Sequence, residues 1–264
     1  MKKQLIFYNI GIIKMFQHYA TPFDKDEHEH YADIKEPDLY VISVVDRTDS
    51  GAFQRLLDSG KKHGITVTPI VTKEPIGHGK GFGMKIKGMY DYIQNKQPND
   101  IIMFIDGFDV LITGSKSEIL NAYRAYRDKH GDKAVFSAEK TCWPDSHLAE
   151  RFPVTSSPYK YLNSGTYMST VSALKRILAN KHDEIYGSEF YKTDDQRFFT
   201  DLFLNTSDIV LDNSNTIFNC MNDGLDDLSI EQGRWRNLAT KSTPLVYHAN
   251  GGPVAKNFLF DKIF

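Results

Sequence analysis

Asp106 and Asp109 close the run IIMFIDGFD, and His248 closes a second run, LVYH, near the other end of the chain. IIMFI is continuously apolar and rich in β-branched residues, the composition of a strand covered on both faces. Asp106 then falls at the strand's carboxyl end. Gly107 permits a sharp turn there, so Asp109, three positions on, can swing back until both carboxylates face one point. Two carboxylates that close repel each other, and a bound divalent cation is the simplest compensation. The same pattern also fits a pair that caps its own turn by accepting backbone N–H bonds. His248 bears on that choice, because a neutral imidazole completing two carboxylates suits Mn²⁺ better than Ca²⁺ or Mg²⁺, which prefer all-oxygen shells. Asn250, Gly251 and Gly252 follow it, small enough to let backbone approach a ligand.

A second acidic pair, Asp194 and Asp195 in TDDQRFF, stands before a helix expected to begin near Gln196. An aspartate at a helix N-terminus is stabilising in its own right. The glycine loop GHGKGFG, Gly77 to Gly83, has glycine at every second position, which is not the dinucleotide spacing, and Lys80 lacks the following Ser or Thr of a P-loop. It reads as a flexible loop able to approach a phosphate. HEH, His28 to His30, lies in a charged stretch and reads as exposed rather than as a zinc site.

The elements that must position these residues alternate. LYVISVV (Leu39 to Val45), ITVTPIV, IIMFI and AVFSAE (Ala134 to Glu139) read as strands. AFQRLLDSGKKHG (Ala52 to Gly64), MKIKGMYDYIQNK (Met84 to Lys96) and KSEILNAYRAYRDKH read as the helices between them. Such alternation predicts an α/β fold with a mostly parallel, Rossmann-like sheet flanked by helices, and ligands bind at the carboxyl edge of such sheets. From Pro144 to Asn250 the pattern is looser, with one good helix at VSALKRILAN. No linker separates two halves, so a single domain over 1–264 is expected, with 1–37 as an N-terminal strand and a polar connection.

Composition narrows the classes. Lys and Arg number 32 against 34 Asp and Glu, a formal charge of -2, so no basic field points to nucleic acid. The two cysteines, Cys142 and Cys220, are too few for a disulfide framework and read as free thiols. No stretch is long enough to span a bilayer. MKKQLIFYNIGIIKMF has the lysines and apolar run of a signal peptide, but Asn9 interrupts it and no small-residue cleavage site follows. A retained segment and cytoplasmic expression are therefore favoured.

FIDGFDVLITGS, FSAEKTCWPD, YLNSGTYMST, DDQRFFTDLFL, IFNCMNDGLDD and VYHANG resemble, in order, the glycosyltransferase domain of the multifunctional procollagen lysyl hydroxylases, from about Asp38 to the C-terminus. The resemblance implies a GT-A fold and a retaining, Mn²⁺-dependent glucosyltransferase. Its donor would be UDP-glucose and its acceptor galactosyl-hydroxylysine of collagen or a collagen-like protein. Because the oxygenase domain of those enzymes is not expected here, the chain is similar to a stand-alone, giant-virus-type version. By position, Asp106, Asp109 and His248 match the metal set. Phe108 matches an aromatic that stacks on uracil, usually Tyr. Lys85 and Lys256 match cations that hold the diphosphate, with Asn250 and Gly251 beside them, and Val44 and Asp46 match residues of the nucleoside pocket. Asp195 is implied to face the sugar, as nucleophile or cation stabiliser, with Asp194 assisting. Trp143 matches an aromatic at the acceptor entrance. Glu139, Asn163, Ser164 and Gly165 match positions lining the sugar site. Galactosyl transfer, a non-catalytic UDP-sugar or collagen-binding module and a metal-dependent phosphohydrolase are the rival readings.

Overall fold

β1 (Leu39–Val45) and β3 (Ile101–Ile105) show why the centre of this chain folds as it does. Side chains alternate across a strand. Ile42, Val44, Ile102 and Phe104 enter one apolar core, and Val41, Val45, Met103 and Ile105 enter another on the opposite face. A strand apolar at every position must be covered twice, and helices do so. The first face is covered by α2 (Gly83–Ile93) through Ile86 and Met89, and the second by α1 (Gly51–Lys62) through Phe53 and Leu56. The computed structural model describes residues 37–77 and 79–264, of which Pro37–Phe264 forms one compact unit. The expected N-terminal strand, the retained leader-like segment and the HEH stretch lie outside the described residues.

The remaining elements in chain order are β2 (Val67–Val71), placed between α1 and α2, then β4 (Val110–Ile112), α3 (Lys116–His130), β5 (Ala134–Glu139), β6 (Tyr161–Thr170) and α4 (Val171–Ile177). After these come α5 (His182–Ile185), α6 (Asp195–Asn205), β7 (Ile209–Asp212), β8 (Phe218–Cys220), β9 (Leu228–Glu231), β10 (Arg234–Asn237), β11 (Val246–His248) and α7 (Pro253–Phe258). The main sheet has the order β2-β1-β3-β6-β5-β7. Its strands run parallel except β6, which opposes both β3 and β5. The expected mostly parallel sheet is therefore observed, and the reversal of β6 matters for the site. Being antiparallel, β6 begins at the edge where β1, β3 and β5 end.

α3 starts at a capping box. Glu118 N–H donates to Ser115 Oγ at 3.3 Å, and Ser115 N–H donates to Glu118 Oε2 at 2.8 Å. The second half is more ordered than its sequence pattern. A three-stranded sheet, β4-β11-β8, joins the DGFD turn to the C-terminal segment, with His248 opposite Val110. Among the described residues no helix is long and apolar enough to cross a membrane.

Candidate active site

The last residue of β3 is followed by Asp106, and the turn to Asp109 is shaped by a glycine that has no room for anything larger. A Cβ on Gly107 would lie 2.3 Å from Val45 Cγ1. Ala249 N–H donates to Asp109 carbonyl oxygen at 2.8 Å, which ties the turn to the residue after His248. Asp106, Asp109 and His248 consequently present one donor atom each within 4.8 Å of one another. His248 Nε2 stands 3.7 Å from Asp106 Oδ2 and 3.6 Å from Asp109 Oδ1. These separations exceed a good hydrogen bond and suit donors that converge on one cation.

A bulge completes the cradle. The register between β5 and β6 shifts at Phe136/Ser137, so Tyr167 pairs with Phe136 while Asn163 pairs with Ser137. Ser164, Gly165 and Thr166 lie in the excess length, and Gly165 carbonyl oxygen accepts from Asp106 N–H at 2.8 Å. A Cβ on Gly165 would come within 2.2 Å of His248 Cε1 and 2.8 Å of Asp106 Oδ2. The donor set and this glycine gap both fit a divalent cation held by Asp106, Asp109 and His248.

Cations flank the carboxylates. Lys85 is buried on the core face of α2, and its Nζ lies 2.7 Å from both Asp106 Oδ1 and Asp195 Oδ2. Lys256 Nζ, on α7, lies 3.4 Å from Asp109 Oδ2. Burial opposes charge on Lys85, but Asp106 and Asp195 hold its ammonium above the ordinary value. Burial raises the Asp106 carboxyl, with Asp109 and Asp195 adding to the rise against Lys85 and His248. Burial pushes Asp109 the same way, yet contact with His248 and the charge of Lys256 hold it below its usual range. Burial disfavours charge on His248, and Asp109 overrides it, raising the imidazole well above its ordinary value.

The structure brings most of the expected residues to this edge. Val44, Lys85, Asp106, Phe108, Asp109 and Lys256 share a cleft of about 240 Å³ with the glycine loop. Phe108 packs edge-on against Phe53, and the Arg47 guanidinium lies 5.0 Å from its ring centroid. Asp46 is turned elsewhere. It accepts from Ile76 N–H at 3.1 Å and pairs with Arg47 at 3.4 Å, so its carboxylate fastens the loop after β2. Asp195 is buried and accepts from Ser164 Oγ at 2.8 Å, whereas Asp194 caps α6 by accepting from Arg197 N–H at 2.9 Å. The capping role weighed for the aspartate pair thus falls to Asp194. Trp143 is 66% exposed, which excludes a core role.

Asn163 and Asn250 point inward to Glu139 at 2.9 Å each. Gly251, at φ +94°, has Asn222 Oδ1 only 2.5 Å from where a Cβ would stand. Gln196 escaped the sequence reading. It is buried, donates to Glu139 Oε1 at 2.7 Å and accepts from Ser164 N–H at 2.9 Å. Its place immediately after the DD pair was the available signal.

The model of a family described as the PLOD GT domain matches residues 35–259. This chain belongs to that family. An uncharacterized protein, R699, of Acanthamoeba polyphaga mimivirus is 34% identical over 171 residues, covering 65% of this chain and 36% of that protein. The multifunctional procollagen lysine hydroxylase and glycosyltransferase of Caenorhabditis elegans is 30% identical over 233 residues, and the LH3 protein of Rattus norvegicus 29% over 234. Each alignment covers 81% of this chain and 30% of the relative. The PLOD GT domain here spans about a third of the length of the curated relatives it matches. Among solved structures, a glycosyltransferase involved in glycosylation of the major capsid of PBCV-1 aligns at a TM-score of 0.48 and 10% identity, covering 86% of this chain and all of that one. The galactosyltransferase LgtC aligns at 0.49 and 13%, covering 81% and 87%. The helix-flanked, mostly parallel sheet of this PLOD GT domain is the α/β layout expected of a GT-A glycosyltransferase.

Proposed function

We propose that this chain is a retaining glucosyltransferase that moves glucose from UDP-glucose to galactosyl-hydroxylysine of a collagen or collagen-like protein, with Mn²⁺ at Asp106, Asp109 and His248. The observation that carries the reading is the convergence of these three ligands at the sheet's carboxyl edge, with Lys85 and Lys256 against their outer oxygens. The names of the relatives, which join procollagen lysine to glycosyl transfer, support the acceptor class.

When bound, the cation supplies positive charge that offsets the charge developing on the departing diphosphate. The two lysines add to it and orient the phosphates. Phe108 and Val44 offer the uracil an aromatic and an apolar wall in the same cleft. Asp195 faces the sugar. Its Oδ2 already accepts from Ser164 and contacts Lys85, a setting that suits stabilising a cationic anomeric carbon better than attacking it. In that route the anomeric carbon–diphosphate bond breaks, the acceptor hydroxyl oxygen bonds to the same face, and its proton leaves with the diphosphate. Retention follows from the shared face.

The test is UDP release from UDP-glucose with Mn²⁺, with and without galactosyl-hydroxylysine peptide, in wild type and Asp195→Asn. Acceptor stimulation that falls by about 100-fold or more in the variant supports the reading. Repeating it with UDP-galactose separates glucosyl from galactosyl transfer. Mn²⁺-dependent UDP binding without acceptor stimulation would instead favour a binding module or another acceptor.

A further inference from the structure

Glu139 lies under the cluster, and three side-chain amides end on its carboxylate. Asn163 Nδ2 and Gln196 Nε2 donate to Oε1 at 2.9 and 2.7 Å, and Asn250 Nδ2 donates to Oε2 at 2.9 Å. An amide can usually be turned end for end, but none of these can. Each carries at its oxygen end a backbone N–H, which can only donate. Gly165 N–H donates to Asn163 Oδ1 at 3.0 Å, Ser164 N–H to Gln196 Oε1 at 2.9 Å, and Met221 N–H to Asn250 Oδ1 at 3.0 Å. All three amides are therefore polarised towards Glu139 on β5, from strand β6, helix α6 and the turn after β11.

One of the amide oxygens has a further neighbour. Asn163 Oδ1 lies 3.0 Å from His248 Nδ1 in a buried contact. An oxygen fixed as acceptor requires Nδ1 to carry a proton, which leaves the Nε2 lone pair as the ring's ligand atom, on the side of Asp106 and Asp109. We infer that Asn163, held by Glu139, is a positioning residue that sets the tautomer and the ring orientation of His248, and that neither residue's main task is to contact the sugar. The inference rests on the reading of Asp106, Asp109 and His248 as a cation site. Partners of this kind behind a ligating histidine are worth about 10–100-fold in metal affinity.

The test is Mn²⁺ affinity of the full chain, read by loss of the free-ion EPR signal without any sugar nucleotide. Asn163→Leu, close in size and without an acceptor, is expected to weaken Mn²⁺ binding by about 10–100-fold. UDP binding should recover when Mn²⁺ is raised to saturation. Glu139→Gln offers one acceptor oxygen to three donors and should weaken Mn²⁺ by less. The double variant should bind no more weakly than Asn163→Leu, because Glu139 acts through Asn163. A direct contact with the sugar would leave Mn²⁺ affinity unchanged and raise the KM for UDP-glucose. Mn²⁺ binding by Asn163→Leu within twofold of wild type overturns the inference. If that variant fails to fold, ¹⁵N-histidine NMR of the Zn²⁺-loaded wild type decides. A protonated Nδ1 with ligated Nε2 supports the inference, and the reverse assignment overturns it. A wild type that binds no Mn²⁺ sinks the cation site itself, which is distinguishable from a site that binds but ignores Asn163.

Discussion

Gly165 shows how a site can depend on an atom that is missing. With a Cβ 2.2 Å from His248 Cε1 and 2.8 Å from Asp106 Oδ2, Gly165→Ala must displace a ligand or the strand. Over-packing of this kind costs about 1–3 kcal/mol. We expect Gly165→Ala to lose Mn²⁺ affinity by roughly 100-fold, the upper end for changes behind a metal ligand, while far-UV circular dichroism stays native. Calorimetric titration with Mn²⁺ checks it, and unaltered affinity would refute the steric argument. His248 gives the pH dependence. With no cation present, Asp109 raises its imidazole well above the ordinary value, which favours a ring with a proton on each nitrogen. A metal must displace one of them. Mn²⁺ affinity should therefore rise with pH through neutrality, and binding enthalpy at pH 7 should change with the ionisation heat of the buffer. The metal-free fold shows the opposite slope, because the contribution of a raised histidine is present below its unfolded value and fades as pH climbs through the folded one. The two aspartates and the histidine were legible in the sequence because their types name the chemistry. The orientation of Asn163 and the burial of Gln196 were not, since Asn163 is held by Gly165 N–H in a bulge and by Glu139 on β5, and Gln196 by Ser164 N–H on β6.

Elements were readable where a pattern runs long enough to be periodic. IIMFI is apolar throughout because helices cover both faces of the main sheet, and KSEILNAYRAYRDKH is long enough to read as the helix α3. β4, β8 and β11 have three residues each, too few to show a period, and their pairing is fixed by contacts between distant segments. The bulge in β6 is equally silent, because it is set by β3 and β5 holding different registers on its two sides. α3 lends itself to a test confined to one element. Ser115→Ala removes a cap worth about 1 kcal/mol, which should lower Tm by roughly 2–4 °C in a chain of this size. Ile119 and Tyr123 of α3 pack on the face opposite α6, so Mn²⁺ affinity should be unaffected. A matching loss of Mn²⁺ affinity in the same titration would show that this core transmits strain to the site.

At the scale of the molecule, Lys85 joins three parts: α2, which carries it, the end of β3 through Asp106, and the start of α6 through Asp195. Without it, Asp106, Asp109 and Asp195 face one another with His248 and Lys256 as the remaining nearby cations. Removing one partner of a buried ion pair costs about 3–5 kcal/mol, because the other charge stays buried. Lys85→Met should thus lower Tm by on the order of 10 °C in chelator. The loss should be smaller at pH 5.5 than at pH 8, since the Asp106 carboxyl, already raised by burial, rises further without the lysine and takes up a proton. A cation that binds only the folded chain stabilises it in proportion to the logarithm of its concentration over Kd. Saturating Mn²⁺ should accordingly raise the Tm of Lys85→Met by more than that of wild type, because it restores positive charge where the variant lacks it. Thermal melts of both proteins at the two pH values, with chelator and with Mn²⁺, form a closed set. Equal Mn²⁺ shifts in the two proteins would mean that Lys85 and the cation do not share the same carboxylates, and the site would have to be redrawn with the metal away from Asp106.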